Sequence, residues 1–401
     1  MISAAKQVKS GAKRNGKIAM MDFTFSTAGK VIFGPEKLQG VGAEISALGS
    51  RVLLVTGQGS LKRTGRLAKI EGYLNERSLY VAVFNDIPPE PSLEVVEAGI
   101  AECYRHKCDV VLAIGGGSAL DVGKTIAALV TAPGTVHEYF RGRELEQRGL
   151  PFVAVPTTAG TGTEVTSNAV LVDTEQGIKT SIRSPYMYPD VAIVDPELTL
   201  TMPPEVTAHS GMDALCQAME ALVSRGANPL TDALAEDSSD RLIRNLPMVY
   251  KDSVNLSFRT EVALGSLMGG IAFANARLGL AHGLAHPLGV ATGLPHGLIC
   301  ALLLPIAIRF NAMVSEVKYA RLARRAGLAE LHASDEEAVS ILADIIEQMN
   351  EEMGIKARSS ELQPPKEAWP TIISRTLTAG STKSNPRPVT AEDIEQILGK
   401  L

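Results

Sequence analysis

An α/β half built on a mostly parallel sheet, followed by an all-helical half, is the fold class this chain predicts. Two observations carry it. Up to about residue 198, short β-branched runs alternate with helical stretches, the pattern of a parallel sheet covered on both faces. Beyond about residue 199, strand patterns give way to alanine- and leucine-rich segments with helical spacing. A length of 401 residues also fits two cores better than one. The expected organisation is a flexible extension over 1–21, an α/β dinucleotide-binding domain over 22–198 and an all-helical domain over 199–401.

Each element has its own reason. Apolar, β-branched runs place strands at 51–56, 80–84, 109–114, 152–155 and 192–194. The first ends in GQGS, the third in GGGS, the fourth in PTTAGTGTE and the last in DPELT. Helical periodicity covers 212–223, 232–245, 260–276 and 336–349. The longest apolar run, 298–308, contains Pro305 and is shorter than a bilayer span, so it reads as a buried helix. Residues 1–21 carry Lys6, Lys9, Lys13, Arg14 and Lys17 with no acid, but lack the amphipathic, arginine-rich pattern of a transit peptide. Met20 or Met21 is an alternative start.

Composition excludes some functions. The chain is 45% hydrophobic and 21% charged, as in soluble globular proteins, and a net charge of −5 gives no basic field for nucleic acid or a membrane surface. Four cysteines without paired spacing suit a reducing cytoplasm.

The run GGGSALDVGK, residues 115–124, follows a strand and opens a helix. Gly115, Gly116 and Gly117 let the backbone approach a ligand, and the exposed amides of a helix start favour phosphate oxygens. Ser118 is placed to cap that helix, and Asp121 completes a capping-box pattern. The run is not a Rossmann fingerprint, because Leu120 stands where the third glycine belongs; nor is it a P-loop, because five residues separate Gly117 from Gly123. Thr157, Thr158, Thr161 and Thr163 cluster hydroxyls around Gly160 and Gly162 at another strand end. Two such ends predict a dinucleotide.

The helical half has its own concentration of chemistry. Three of the seven histidines, His282, His286 and His296, fall within fifteen positions. His282 and His286 are four apart and share a helical face, while His296 returns after a Leu-Pro break. Metal ligand, proton shuttle and buried polar anchor are all open roles for them.

With these motifs in order, the chain resembles the iron-containing (group III) alcohol dehydrogenases of the dehydroquinate-synthase-like superfamily, from about Phe33 to Asn311. GGGSALDVGK matches that family's pyrophosphate loop and PTTAGTGTE its second nucleotide loop. IKTSI, with Lys179, and VDPELT match the strand leading into the helical domain. SGMDALCQAMEA and HGLAHPLG…LPHG match the metal-site helices. The resemblance implies a dehydroquinate-synthase-like fold and a divalent metal held by Asp213, His282 and His296, with His286 near the nicotinamide as a proton-transfer or substrate-contact residue. At the fourth ligand position, Gln217 replaces the family's histidine. Its amide oxygen is a weaker, neutral donor, so zinc, iron or a low-affinity site are the alternatives.

The resemblance also locates the cofactor's 2′ position. NAD-preferring relatives place an aspartate after the first strand; here Gly57 stands there, with Gly59, Ser60, Lys62 and Arg63 following and no carboxylate to repel a phosphate. NADP is favoured over NAD. The implied activity is metal-assisted hydride transfer between a small alcohol and its aldehyde or ketone. The implied assembly is a homo-oligomer, a dimer being common in the family. Rival readings are a metal-independent reductase of the maleylacetate type, a dehydroquinate-synthase-like lyase, disfavoured because 260–300 offers Arg277 and little else basic, and a non-catalytic relative kept for assembly. The substrate pocket is expected to draw on Ala272, Phe273, Leu278 and neighbours of His286.

Overall fold

A computed structural model describes residues 22–401, so the expected flexible extension lies outside the described residues. Eight strands form two sheets. β1 (Lys30–Phe33), β2 (Arg51–Gly57), β3 (Tyr80–Ile87), β4 (Val110–Gly115), β5 (Phe152–Pro156) and β8 (Val191–Val194) make one sheet in the order β1-β8-β5-β4-β2-β3. All its pairings are parallel. The central strands are buried along nearly their whole length, hence their unbroken apolar runs.

The five expected strands are all present. The sequence reading missed β1, a four-residue edge strand too short to show a period, and β6 (Asn168–Asp173). IKTSI also needs correction. It forms β7 (Ile178–Arg183), which pairs antiparallel with β6 in a separate hairpin, and β8 is the strand that leads into the helical half. The reason is burial: β6 alternates buried and half-buried residues and β7 is mostly exposed, so this pair packs on one face only.

The principal helices are α1 (Leu93–Arg105), α2 (Gly117–Leu129), α3 (Pro204–Val223), α4 (Pro229–Lys251), α5 (Leu256–Ala276), α6 (Leu280–Thr292), α7 (His296–Arg325) and α8 (Asp335–Glu352). The apolar run 298–308 lies within α7, where Leu298, Ile299, Leu303, Leu304 and Ile308 are buried in the helical core. That core extends to Val165, Ala192 and Val194 of the α/β half, so the two halves share an apolar seam. Gly162 marks how close they come. Its φ is +63°, and a Cβ there would lie 2.7 Å from Gly270 Cα on α5.

The topology fixes where a ligand fits. The chain goes from β2 to β3 on one side and then to β4 on the other, so the strand order reverses between β2 and β4. Their carboxyl ends open a crevice there.

Candidate active site

The three glycine-rich or threonine-rich turns meet at that crevice. β4 lies between β2 and β5, bringing the turns after all three strands side by side. A Cβ on Gly115 would lie 3.7 Å from the Gly57 amide nitrogen, and one on Gly117 would lie 2.8 Å from Thr161 Cγ2. The Thr157 amide donates to the Gly115 carbonyl at 2.9 Å, joining the two loops. Thr157, Thr158, Thr161, Gly116, Gly117 and Ser118 are all half-buried along this line. Gly59 has φ +78° and turns the chain into a short helix that carries Ser60, Lys62 and Arg63 on the surface.

The expected capping box is not formed. Gly116 is the residue at the cap position of α2, in an extended conformation and with no side-chain cap, because the helix begins before Ser118. With no side-chain cap, the amides of Gly117 and Ser118 at the helix start remain available to an anion, while those of Ala119 and Leu120 donate to the Gly116 carbonyl. Asp121 is turned inward instead. Its carboxylate accepts from Thr163 Oγ1 at 3.2 Å and from the Val170 amide at 3.1 Å, and burial holds its pKa above the ordinary range. Beside it, buried Lys124 donates to the carbonyls of Thr163, Thr166 and Asn168 at 2.7, 2.8 and 2.9 Å. Asp121 and Lys124 thus brace the second loop from beneath. Sequence reading dismissed Gly123-Lys124 with the rejected P-loop and missed this role.

On the opposite wall, α3 presents Asp213, Gln217 and Glu220 at i, i+4 and i+7, a polar stripe on an otherwise apolar buried helix. α6 brings His282 to them, and Gly293, with φ +71°, ends α6 so that Pro295 can start α7 with His296. His282 Nε2 lies 3.2 Å from Asp213 Oδ1, and His296 Nε2 lies 3.8 Å from the same oxygen. His282 Nδ1 lies 2.7 Å from Glu220 Oε2. Glu220 also accepts from the amides of Gly279 at 2.9 Å and Ala281 at 2.6 Å, at the start of α6. The polar stripe was the signal that would have revealed Glu220 in advance.

These contacts decide a protonation state. A carboxylate can only accept, so His282 Nδ1 donates to Glu220 and its Nε2 lone pair faces Asp213 Oδ1. Two acceptors at 3.2 Å require a positive species between them: a proton or a metal ion. The titration behaviour agrees. Burial alone would depress His282, but Cys300 and the acceptor carboxylates of Asp213 and Glu220 outweigh burial and raise its pKa well above the ordinary value. Burial would raise Asp213, yet the hydrogen bond from His282 and the nearby His296 hold it below the usual carboxylate range. His296 is pushed down to about 4 by burial, with Asp213 opposing and His282 adding to the shift.

Gln217 is 4% exposed. Its amide nitrogen donates to Asp213 Oδ2 at 3.1 Å, and its Oε1 has no protein partner. An orphaned buried oxygen is costly unless something absent from the protein itself satisfies it. With the convergence on Asp213 Oδ1, it shows that these residues fit a bound cation and its ligands.

A cavity of about 130 Å³ opens beside this cluster, between the two halves. Glu90, Val172, Gly177 and Lys179 line it from the α/β half; Ala285, His286, Gly289, Val290, Leu294 and His296 line it from the helical half. His286 is solvent-exposed and stacks on His296, with ring centroids 4.9 Å apart. Lys179 donates to Glu90 at 2.6 Å. The expected substrate wall is corrected in part: neighbours of His286, namely Ala285, Gly289 and Val290, line the cavity, whereas Ala272 is fully buried in the helical core and Phe273 packs against Gly162. Val172, Val290 and Leu294 supply the apolar surface instead.

Comparison with known proteins agrees with this geometry. Residues 28–196 match the family model described as iron-containing alcohol dehydrogenase, and residues 207–401 match the C-terminal model of the same family. The chain belongs to the iron-containing alcohol dehydrogenase family. This alcohol dehydrogenase is 36% identical to the 1,3-propanediol dehydrogenase of Klebsiella pneumoniae over 91% of its own length and 95% of the relative's. It is 34% identical to the NADPH-dependent butanol dehydrogenase of Clostridium saccharobutylicum, over 87% and 91% of the two chains. A crystal structure of 1,3-propanediol oxidoreductase superimposes with a TM-score of 0.91 at 36% identity, covering 95% of this chain and all of the other. The chain is thus an oxidoreductase of the alcohol dehydrogenase type, from a family that uses NAD(P) and a divalent metal. Neither relative is a lyase or a reductase of the maleylacetate type.

Proposed function

We propose that this enzyme interconverts a small alcohol and its aldehyde or ketone in the interdomain cavity, using NADP in preference to NAD and a divalent metal at the Asp213 cluster. The observation that carries the reading is the convergence of Asp213 Oδ1, His282 Nε2 and His296 Nε2 at the edge of a cavity built from both halves. When bound, the nicotinamide supplies the hydride chemistry and the metal supplies Lewis acidity toward the substrate oxygen.

The chain's own residues do the rest. The amides of Gly116, Gly117 and Ser118 hold pyrophosphate oxygens, and the hydroxyls of Thr157, Thr158 and Thr161 fix the nucleotide on the other side. Lys179 contributes a positive group at the cavity wall, its position set by Glu90. Asp213, His282 and His296 hold the metal, and Glu220 keeps the His282 Nε2 lone pair turned toward it. His286, at the solvent-exposed lip, accepts the alcohol's proton on a ring nitrogen and releases it to water. The apolar wall of Val172, Val290 and Leu294 limits water and selects a short carbon chain.

NADP preference rests on Gly57, beside which a side chain would meet nothing within 4 Å, and on exposed Ser60, Lys62 and Arg63. No acid stands there to repel a 2′-phosphate. The NADPH-dependent butanol dehydrogenase among its relatives is in keeping with this. The assembly that accords with the family resemblance is a dimer, and free cysteines accord with a reducing cytoplasm.

The test combines elemental analysis with turnover of short aldehydes under NADPH and NADH. His282→Ala loses both metal and turnover, whereas His286→Ala keeps its metal and loses turnover. Full activity with unchanged metal content in both variants refutes the assignment; wild-type turnover that survives chelation favours the metal-independent alternative.

A further inference from the structure

The site described above has three strong ligands and, in place of a fourth imidazole, the neutral amide of Gln217. A second group stands in the same cluster. Cys300 lies four residues after His296 on α7, one turn further along the same face, and is fully buried. Its sulfur is 3.5 Å from His296 Nε2, and one ligand atom from each of Asp213, His282, His296 and Cys300 falls within 4.8 Å of all the others. We propose that Cys300 Sγ is the fourth ligand of this centre, giving an Asp-His-His-Cys donor set that takes zinc in preference to ferrous iron. This inference rests on the metal-centre reading of the site.

Geometry supports it. A tetrahedral centre with metal–nitrogen and metal–oxygen distances of about 2.05 Å and a metal–sulfur distance of about 2.3 Å has N···O edges of about 3.3 Å and N···S edges of about 3.6 Å. The observed His282–Asp213 edge is 3.2 Å and the His296–Cys300 edge is 3.5 Å. The His296–Asp213 edge, 3.8 Å, closes by a few tenths of an ångström.

Charge supports it as well. Asp213 and a Cys300 thiolate neutralise a divalent ion, whereas Asp213 with three neutral donors leaves a buried positive charge. Ligation releases the thiol proton to solvent. A soft thiolate beside two imidazoles suits zinc. Gln217 then keeps its nitrogen on Asp213, and its unpartnered Oε1 remains to accept a hydrogen bond from a water or substrate hydroxyl that adds to the four-donor centre as a fifth ligand. Cys216 is a natural control. It lies 3.8 Å from His282 Nδ1, the nitrogen already used by Glu220, and so faces the wrong side of the ring.

Cobalt(II) added to the metal-free full-length protein is the test. The wild type and Cys216→Ser are expected to show an intense thiolate-to-cobalt charge-transfer band in the near ultraviolet. Cys300→Ser is expected to lose that band and bind cobalt at least tenfold more weakly. Cobalt bound by the wild type without the band overturns the ligand assignment and leaves the metal centre standing. No cobalt bound at all overturns the metal centre too. If Cys300→Ser fails to fold, the spectra of the wild type and Cys216→Ser decide alone. Anaerobic competition between equal zinc and ferrous iron should load zinc, and retention of iron overturns the preference.

Discussion

Replacing Glu220 by glutamine isolates what a single buried carboxylate does for His282. The carboxylate is 3% exposed and takes three hydrogen bonds: from His282 Nδ1 at 2.7 Å, the Gly279 amide at 2.9 Å and the Ala281 amide at 2.6 Å. All three partners are donors, and glutamine offers only one accepting oxygen. With that oxygen toward Gly279 and His282, the new NH₂ meets the Ala281 N–H. With it toward Ala281, the NH₂ meets Gly279 N–H and His282 Nδ1, and the ring must move its proton to Nε2, where it blocks a metal. Either arrangement opposes one donor to another, at about 1–3 kcal/mol of stability. In the second arrangement His282 loses its orienting acceptor, which for a ligating histidine lowers metal affinity by about 10- to 100-fold, or about 1.4–2.8 kcal/mol. Chemical denaturation of the metal-free protein measures the first quantity, and cobalt titration against a chelating competitor measures the second. A Glu220→Gln variant that matches the wild type in both stability and metal affinity refutes the argument that this position must accept from all three donors.

Other perturbations test the nucleotide half. Lys124→Met strands the carbonyls of Thr163, Thr166 and Asn168 and removes a positive charge that favours ionised Asp121. It should cost roughly 3–5 kcal/mol in urea unfolding and weaken cofactor binding by fluorescence titration; a cost near zero refutes the bracing role. Glu164 is pushed up to about 7 from 4.5, chiefly by burial, so below pH 4.5 it is neutral in both folded and unfolded states and above pH 7 it is ionised in both. Its raised folded pKa makes native stability fall by about 3 kcal/mol as pH rises through that window. Glu164→Gln should therefore melt progressively higher than the wild type between pH 5 and pH 8, and a gap that narrows contradicts the sign. Lys62→Glu with Arg63→Glu should raise the KM for NADPH at least tenfold while leaving that for NADH within a few-fold. Equal changes for both cofactors mean that these side chains do not face the 2′ position.

The parallel strands β2, β4, β5 and β8 were legible because each is a buried run whose apolar residues are contiguous in the chain, and the edge strand β3 from its β-branched and aromatic run although Tyr80 and Val83 are exposed. The long helices were legible from their period, and the departure at Gln217 from the family resemblance. The hairpin β6–β7 was harder. It faces the core on one side only, so IKTSI was recognisable as a strand through the family resemblance but its antiparallel pairing with β6 was not. The capping box at Ser118 failed because sequence spacing does not reveal which residue the helix starts from.

What the sequence by itself determined was local. Backbone periodicity and turn chemistry are written within ten or so neighbouring residues, and they fix the α/β-then-helical order and the helical face shared by His282 and His286. Only the tertiary structure decided which polar groups meet. Glu220 finds His282 across 62 positions, Asp213 finds it across 69, and Lys124 finds the second loop across 39. Burial makes those pairings compulsory, since a charged or polar side chain removed from water must take whatever partner the packing brings to it.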